Sequence, residues 1–239
     1  MVSKSKRPKT PHPSAHTSEE IRHIENLMRR NPDIGLSELY GKLRRDYAYT
    51  RQPGVKMQMD VKYVPKRCYT GETSEKFYQY TLIDECTRER FLYAFDELSS
   101  HTTLLFLRRA CIYFGYLPKT IQTDHGQEFV HITQTDRKHP LGRFCEELGI
   151  EHKTIRPYTP RHNGKIERSH RNDNERFYAT LSFYSLADLN HQLRAYLRRS
   201  NDIPSSALGW RSPNEKRESL TDLRRNNRKL SKVFTYRIP

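Results

Sequence analysis

The chain has 239 residues, 34% hydrophobic and 30% charged, which leaves room for one catalytic-sized domain and a small accessory unit and is too apolar for a disordered protein. No apolar run approaches membrane-spanning length and the first ten residues lack the core of a signal peptide, so a cytoplasmic protein without a membrane role is expected. The net charge of +15 is concentrated in residues 1–54 and 153–239, around a near-neutral centre, and points to a polyanionic partner with phosphate groups.

Residues 1–16, rich in Lys, Pro, Ser and His, are expected to form a disordered basic arm. Thr17 with Glu20 makes a capping box for a helix carrying Ile21, Ile24, Leu27 and Met28 at helical spacing. Asn31-Pro32-Asp33 breaks it, and a second short helix follows over Ser37–Asp46. Residues 17–50 thus read either as a partial helix-turn-helix or as a helical hairpin with no DNA role.

After a turn at residues 51–54 the pattern changes to strands. Apolar residues fall at 55, 57, 59, 61 and 63, a period of two that puts Asp60 on the face opposite Met57, Met59 and Val61. Strands over 77–84 and 90–95 complete a three-stranded meander. A helix capped by Ser99 or Ser100 then turns Leu104, Leu107, Cys111 and Phe114 to one side. A short strand at 120–124, a helix over Gly142–Leu148 ended by Gly149, and a strand at 152–155 follow. A long helix over 163–181, another from Ser185 and a start at Ser212-Pro213-Asn214-Glu215 complete the order. This succession predicts an α/β core with a mixed five-stranded sheet flanked by helices over residues 55–220. A basic tail, 221–239, either binds DNA non-specifically or stays solvated. The four cysteines (68, 86, 111 and 145) form no C-x-x-C pair and read as reduced, mostly buried thiols.

Three carboxylates stand out. Asp60 is mid-strand, where a carboxylate is out of place unless exposed or functional. Asp124 ends an apolar strand before His125-Gly126, and Glu167 lies near the start of a helix entered from a loop. Only tertiary folding brings such residues together. Clustered carboxylates suit hard cations such as Mg²⁺ or Mn²⁺, and two such ions serve in-line attack on phosphorus. The ordinary reading of each is a turn, cap or edge charge.

Three segments carry a resemblance: Gln58-Met59-Asp60-Val61-Lys62-Tyr63, Thr123-Asp124-His125-Gly126-Gln127-Glu128-Phe129, and Pro160-Arg161-His162-Asn163-Gly164-Lys165-Ile166-Glu167-Arg168-Ser169-His170. In sequence and order they resemble the signatures of DDE transposases, insertion-sequence enzymes related to retroviral integrases. The resemblance spans about residues 55–220. It implies a ribonuclease-H-like fold, with Asp60, Asp124 and Glu167 as catalytic metal ligands for Mg²⁺ or Mn²⁺, two ions in all. It also implies cleavage at a transposon end, transfer of the exposed 3′-hydroxyl into target double-stranded DNA, and a homo-oligomer on that DNA. A metal-dependent nuclease without strand transfer and a truncated DNA-binding remnant are the competing functions.

Lys165, Arg168, Arg156 and Arg161 are candidate phosphate contacts, against the alternative of a solvated helix face or loop. Asn163 is a candidate DNA-binding residue that also suits a helix cap. Asp84, at a strand end, reads as a turn residue. Glu128 reads as a surface residue or as an outer support of the site, and His125 and His162 as loop residues. Compared with the family, the polar stretch His131–Leu141 lengthens the interval between Asp124 and Glu167. The region before the first catalytic strand looks shortened, which would spare the catalytic residues but not recognition of transposon ends.

Overall fold

The computed structural model describes residues 18–33, 35, 38, 52–72, 74–131, 137–155 and 164–220. The chain divides into two compact units: residues 1–49 with 157–159, and residues 50–156 with 160–239. In the first unit, helix α1 (Ser18–Arg30) ends where Asn31 N–H donates to the Met28 carbonyl (3.2 Å), just before the break expected at Pro32. The arm 1–16, the cap at Thr17, nearly all of the second helix expected over 37–46 and the tail from 221 lie outside the described residues.

The second unit is built on five strands: β1 (Lys56–Tyr63), β2 (Tyr78–Asp84), β3 (Arg90–Phe95), β4 (Thr120–Thr123) and β5 (Glu151–Thr154). Each lies within one residue of its expected span. The order is β3-β2-β1-β4-β5, with β1–β3 an antiparallel meander and β4 and β5 running parallel to β1. This is the mixed five-stranded sheet that the alternation predicted.

Two cores follow from the period of two. One face of the sheet sends Met57, Met59, Tyr80 and Leu82 against helices α2 (Ser100–Phe114) and α3 (Pro140–Leu148), which contribute Leu104, Leu107, Phe114, Phe144 and Cys145. Each such side chain, fully buried, contributes roughly 1.5–3 kcal/mol. Ser99 caps α2 in a reciprocal box with Thr102. The helix α3 starts two residues earlier than expected, with Pro140 in its first turn and the His139 ring accepting from Leu141 N–H. It stops where Gly149 takes φ 69°, a left-handed conformation that glycine adopts without penalty.

The other face is covered by α4 (Gly164–Asp173) and α5 (Leu186–Asp202). Leu189, Leu193 and Leu197 of α5 pack with Leu92 and Ala94 of β3, and α5 starts at the expected Ser185 cap. The single long helix expected over 163–181 is corrected by the structure: α4 ends at Asp173 and a π-helical turn, Asn174–Tyr178, follows. Its wider coil sets two successive aromatics, Phe177 and Tyr178, into the core. A short helix α6 (Pro213–Glu218) begins at the expected start with Pro213 in its first turn, and Ser212 and Glu215 form a capping box there. Just before it, Gly209 and Trp210 both take left-handed backbone (φ 65° and 63°), and the Trp210 indole is 76% exposed. All four cysteines are free, with Cys68, Cys111 and Cys145 buried.

Candidate active site

Alternation along β1 decides what faces α4. Gln58, Asp60 and Lys62 share the face opposite Met57 and Met59, and all three engage elements of the α4 region. Gln58 Oε1 accepts from Ile166 N–H (3.1 Å), so a strand side chain satisfies one of the open donors of the helix's first turn. Lys62 Nζ donates to the His170 carbonyl (3.3 Å) and to Asn174 Oδ1, and stands 4.7 Å over the Tyr178 ring. Asp60, between them, has Oδ2 3.6 Å from His170 Nδ1, while its Oδ1 accepts from Val61 N–H (2.8 Å).

The parallel register brings the second carboxylate alongside. Gln58 pairs with Gln122, so two residues further along each strand stand Asp60 and Asp124, at the carboxyl end of β4 where parallel strands open a crevice. Asp124 Oδ1 accepts from Gly126 N–H (3.0 Å) in the following turn. Asp60 feels this setting: burial pushes its pKa up to about 7, helped by the charges of Asp124, Glu128 and Glu167 and opposed by the Val61 hydrogen bond. Glu167 occupies the first turn of α4 and is exposed. Among the described residues no three His, Cys, Asp or Glu side chains stand close enough together to hold a metal ion. The structure therefore places Asp60 on β1 and Asp124 one residue past the end of the adjoining β4, with Glu167 within electrostatic reach but not closed onto them. The donor set is all carboxylate oxygen, which fits a hard divalent cation.

The helix that carries Glu167 is fastened by a buried polar network. Asp173, fully buried, pairs with Arg90 (2.7 Å) and accepts from the Tyr196 hydroxyl (2.9 Å) and from Gln79 Nε2 (2.9 Å). Gln79 Oε1 accepts from the Tyr178 hydroxyl (2.5 Å), and its Nε2 also donates to the Thr81 hydroxyl (3.1 Å). Thr81 in turn lies 3.1 Å from His170 Nε2. Burial lowers the His170 pKa to about 4, with Lys62 and Arg90 acting the same way against Asp173, so its imidazole is neutral near pH 7.

The other sequence candidates fall out as follows. Lys165 is half-buried and paired with Glu85, which also binds Lys56 (3.1 Å) and accepts from Gln58 Nε2 (2.8 Å). Arg168 is exposed. Arg156, Arg161, His162 and Asn163 lie outside the described residues, as does part of the stretch 131–141. Asp84 is a turn residue: its carboxylate accepts from Cys86 and Thr87 N–H (2.7 and 2.8 Å) and from Gly54 N–H (2.6 Å). Glu128 is 8% exposed, which removes its reading as a surface residue. The exposed His125 sets Nε2 2.7 Å from the Ile155 carbonyl. His170, Gln58, Glu85 and the Arg90–Asp173 pair were not singled out from sequence. The signal for Gln58 was present, on the Asp60 face of β1.

Two family models, each described as integrase core domain, match residues 50–160 and 148–213. The first takes in Asp60 and Asp124, the second Glu167. The ORF3 protein of Spiroplasma virus SpV1-C74, named as an integrase, is 31% identical over 150 residues, covering 59% of this chain and 41% of that protein. The uncharacterized 39.2 kDa protein of insertion element IS476 from Xanthomonas euvesicatoria is 30% identical over 131 residues, covering 54% and 36%. The chain thus spans less than half the length of these relatives. Among solved structures, the catalytic core domain of BIV integrase aligns with a TM-score of 0.52 and 19% identity over 70% of this chain and 95% of that one. A chain from the structure of the simian T-cell lymphotropic virus intasome in complex with PP2A regulatory subunit B56 gamma gives 0.52 and 17%, over 70% and 55%. These likenesses agree with the fold: a ribonuclease-H-like sheet with its strands in the order described. The two matches together take in residues 50–213, and strand order and relatives agree with them that this span is a DDE integrase-like core.

Proposed function

We propose that this chain is the catalytic core of a DNA transposase or integrase that cuts at a transposon end and joins the resulting 3′-hydroxyl to target DNA. The observation that carries the reading is the β1–β4 register, which sets Asp60 beside Asp124 while Gln58 fastens the Glu167 helix across the same strand face.

In this reading Asp60, Asp124 and Glu167 hold two Mg²⁺ or Mn²⁺ ions. Bound there, the ions supply activation of the attacking oxygen and stabilisation of the leaving one during in-line displacement at phosphorus. The residues themselves do the positioning. Asp60 on β1 and Asp124 in the turn directly after β4 stay fixed, whereas the exposed Glu167 completes the set by turning its side chain toward them. Arg168 on that turn, with Arg156, Arg161 and Asn163 before it, binds phosphates of double-stranded DNA. Lys165 joins them only by exchanging its bond with Glu85. Paired DNA ends require paired sites, so the active species is a homo-oligomer on DNA.

Nicking of supercoiled plasmid in Mn²⁺ tests the site. Asp60→Asn, Asp124→Asn and Glu167→Gln should each lose at least about a hundredfold in rate, because a metal ligand serves a step worth several kcal/mol. Equal nicking by all four proteins sinks the assignment. Joining of pre-cut 3′ ends to plasmid separates transfer from hydrolysis: nicking without joining makes the chain a nuclease.

A further inference from the structure

Asp60 has one oxygen held by its neighbour's amide and the other turned toward a histidine from a different element. That histidine, His170, lies one helical turn beyond Glu167, and its two ring nitrogens meet different partners. Nε2 faces the Thr81 hydroxyl at 3.1 Å and Nδ1 faces Asp60 Oδ2 at 3.6 Å.

The surrounding network decides which nitrogen carries the proton. Gln79 has its amide orientation fixed at both ends: Oε1 receives the Tyr178 hydroxyl, and Nε2 must therefore face the Asp173 carboxylate. The same Nε2 donates to the Thr81 oxygen. The Thr81 hydroxyl has no other hydrogen-bond partner among the described residues, so its own proton goes to His170 Nε2. An imidazole that accepts at Nε2 carries its hydrogen at Nδ1. The hydrogen therefore points at Asp60. The Arg90–Asp173 pair, buried on the far side of Gln79, anchors the whole relay.

We propose that His170 is a positioning residue whose Nδ1–H orients the Asp60 carboxylate and so sets the affinity of the site for a divalent cation. This rests on Asp60 being a metal ligand, as argued above. At 3.6 Å the contact is just longer than a hydrogen bond, and a shift of about half an ångström closes it. Hydrogen bonds to metal-binding groups from such outer partners typically govern affinity by about 10–100-fold.

Isosteric variants separate positioning from packing. An asparagine amide nitrogen falls near the place of Nδ1, whereas a glutamine amide reaches the place of Nε2 and fills more of the ring's volume. Mn²⁺ binding by the full chain without DNA, measured by calorimetry or by the spin-resonance signal of free Mn²⁺, is expected to change less than about threefold in His170→Asn and to weaken about tenfold or more in His170→Gln. A purely space-filling role reverses that order, and either the reversed order or equal affinities overturns the proposal. Should the His170 variants melt below the assay temperature, Thr81→Val removes the tautomer lock at near-equal shape. It should weaken Mn²⁺ binding several-fold, and unchanged affinity overturns the proposal too. Asp60→Asn is the control for the underlying reading. If it binds Mn²⁺ as wild type does, or if wild type binds none, Asp60 is no ligand and that reading falls, whatever the His170 variants do.

Discussion

Glu89 is 1% exposed, and burial pushes its pKa up to about 7, with Arg217 at 2.7 Å pulling the other way and Asp84 adding to the rise. An acid whose folded pKa exceeds its unfolded value near 4.5 binds its proton more tightly when folded. The stability this brings is fully present below pH 4.5 and is lost as pH rises through about 7. Asp60 carries the same sign over a similar window. His170 and His152, whose pKa values burial lowers to about 4, act in the opposite sense below about pH 6.5, so the test lies in the difference between a variant and wild type. Glu89→Gln keeps an acceptor for Arg217 and removes the Glu89 titration, so its stability relative to wild type should rise between about pH 5 and pH 7. A slope identical to wild type would show that Glu89 is not protonated in the folded chain. Mg²⁺ gives a second handle, since it should flatten Asp60's share and leave that of Glu89.

At the scale of elements, the sheet face beneath α4 is lined with groups that a core normally avoids: Gln58, Gln79, Thr81 and Arg90, all buried. Each is tolerable only because a partner on α4, the π turn or α5 completes its hydrogen bonds. Arg90→Met leaves Asp173 buried without its cation and should cost about 3–5 kcal/mol in urea denaturation. Lys138→Met breaks an exposed pair with Glu146 and should cost about 1 kcal/mol or less. Similar losses in both would mean that the network does not fasten the helix. The same face marks the limit of what sequence reveals. Strand alternation placed Asp60 opposite Met57 and Met59 and found all five strands, because that period depends only on neighbours. The partners of this polar face lie about 80–110 residues away in the chain, so no local pattern announces them. His170 passed as one more polar residue of a basic helix, and the π turn at 174–178 was read as ordinary helix because its aromatic spacing mimics an α pattern. For Glu128 the surface alternative fell for a related reason: a carboxylate in a polar loop gives no sign of being buried.

For the molecule as a whole, the two faces of one sheet have separate duties. One is an apolar core built with α2 and α3, and the other joins an apolar cluster under α5 to a polar joint that holds the helix of Glu167. Rigidity on the first side lets the second remain adjustable, which an open carboxylate set needs if it is to close on DNA. A different feature offers a way to watch the chain at work. It has one tryptophan, and that residue sits on the left-handed turn before α6, with its ring outside every core. Its emission therefore registers the surroundings of a single surface turn and is nearly blind to the packing of the domain. Urea unfolding should appear in circular dichroism while the tryptophan spectrum stays close to that of water-exposed indole, and a strongly blue-shifted native spectrum would show the turn to be covered. Any change in that light when DNA or another copy is added then names the place of contact without a label.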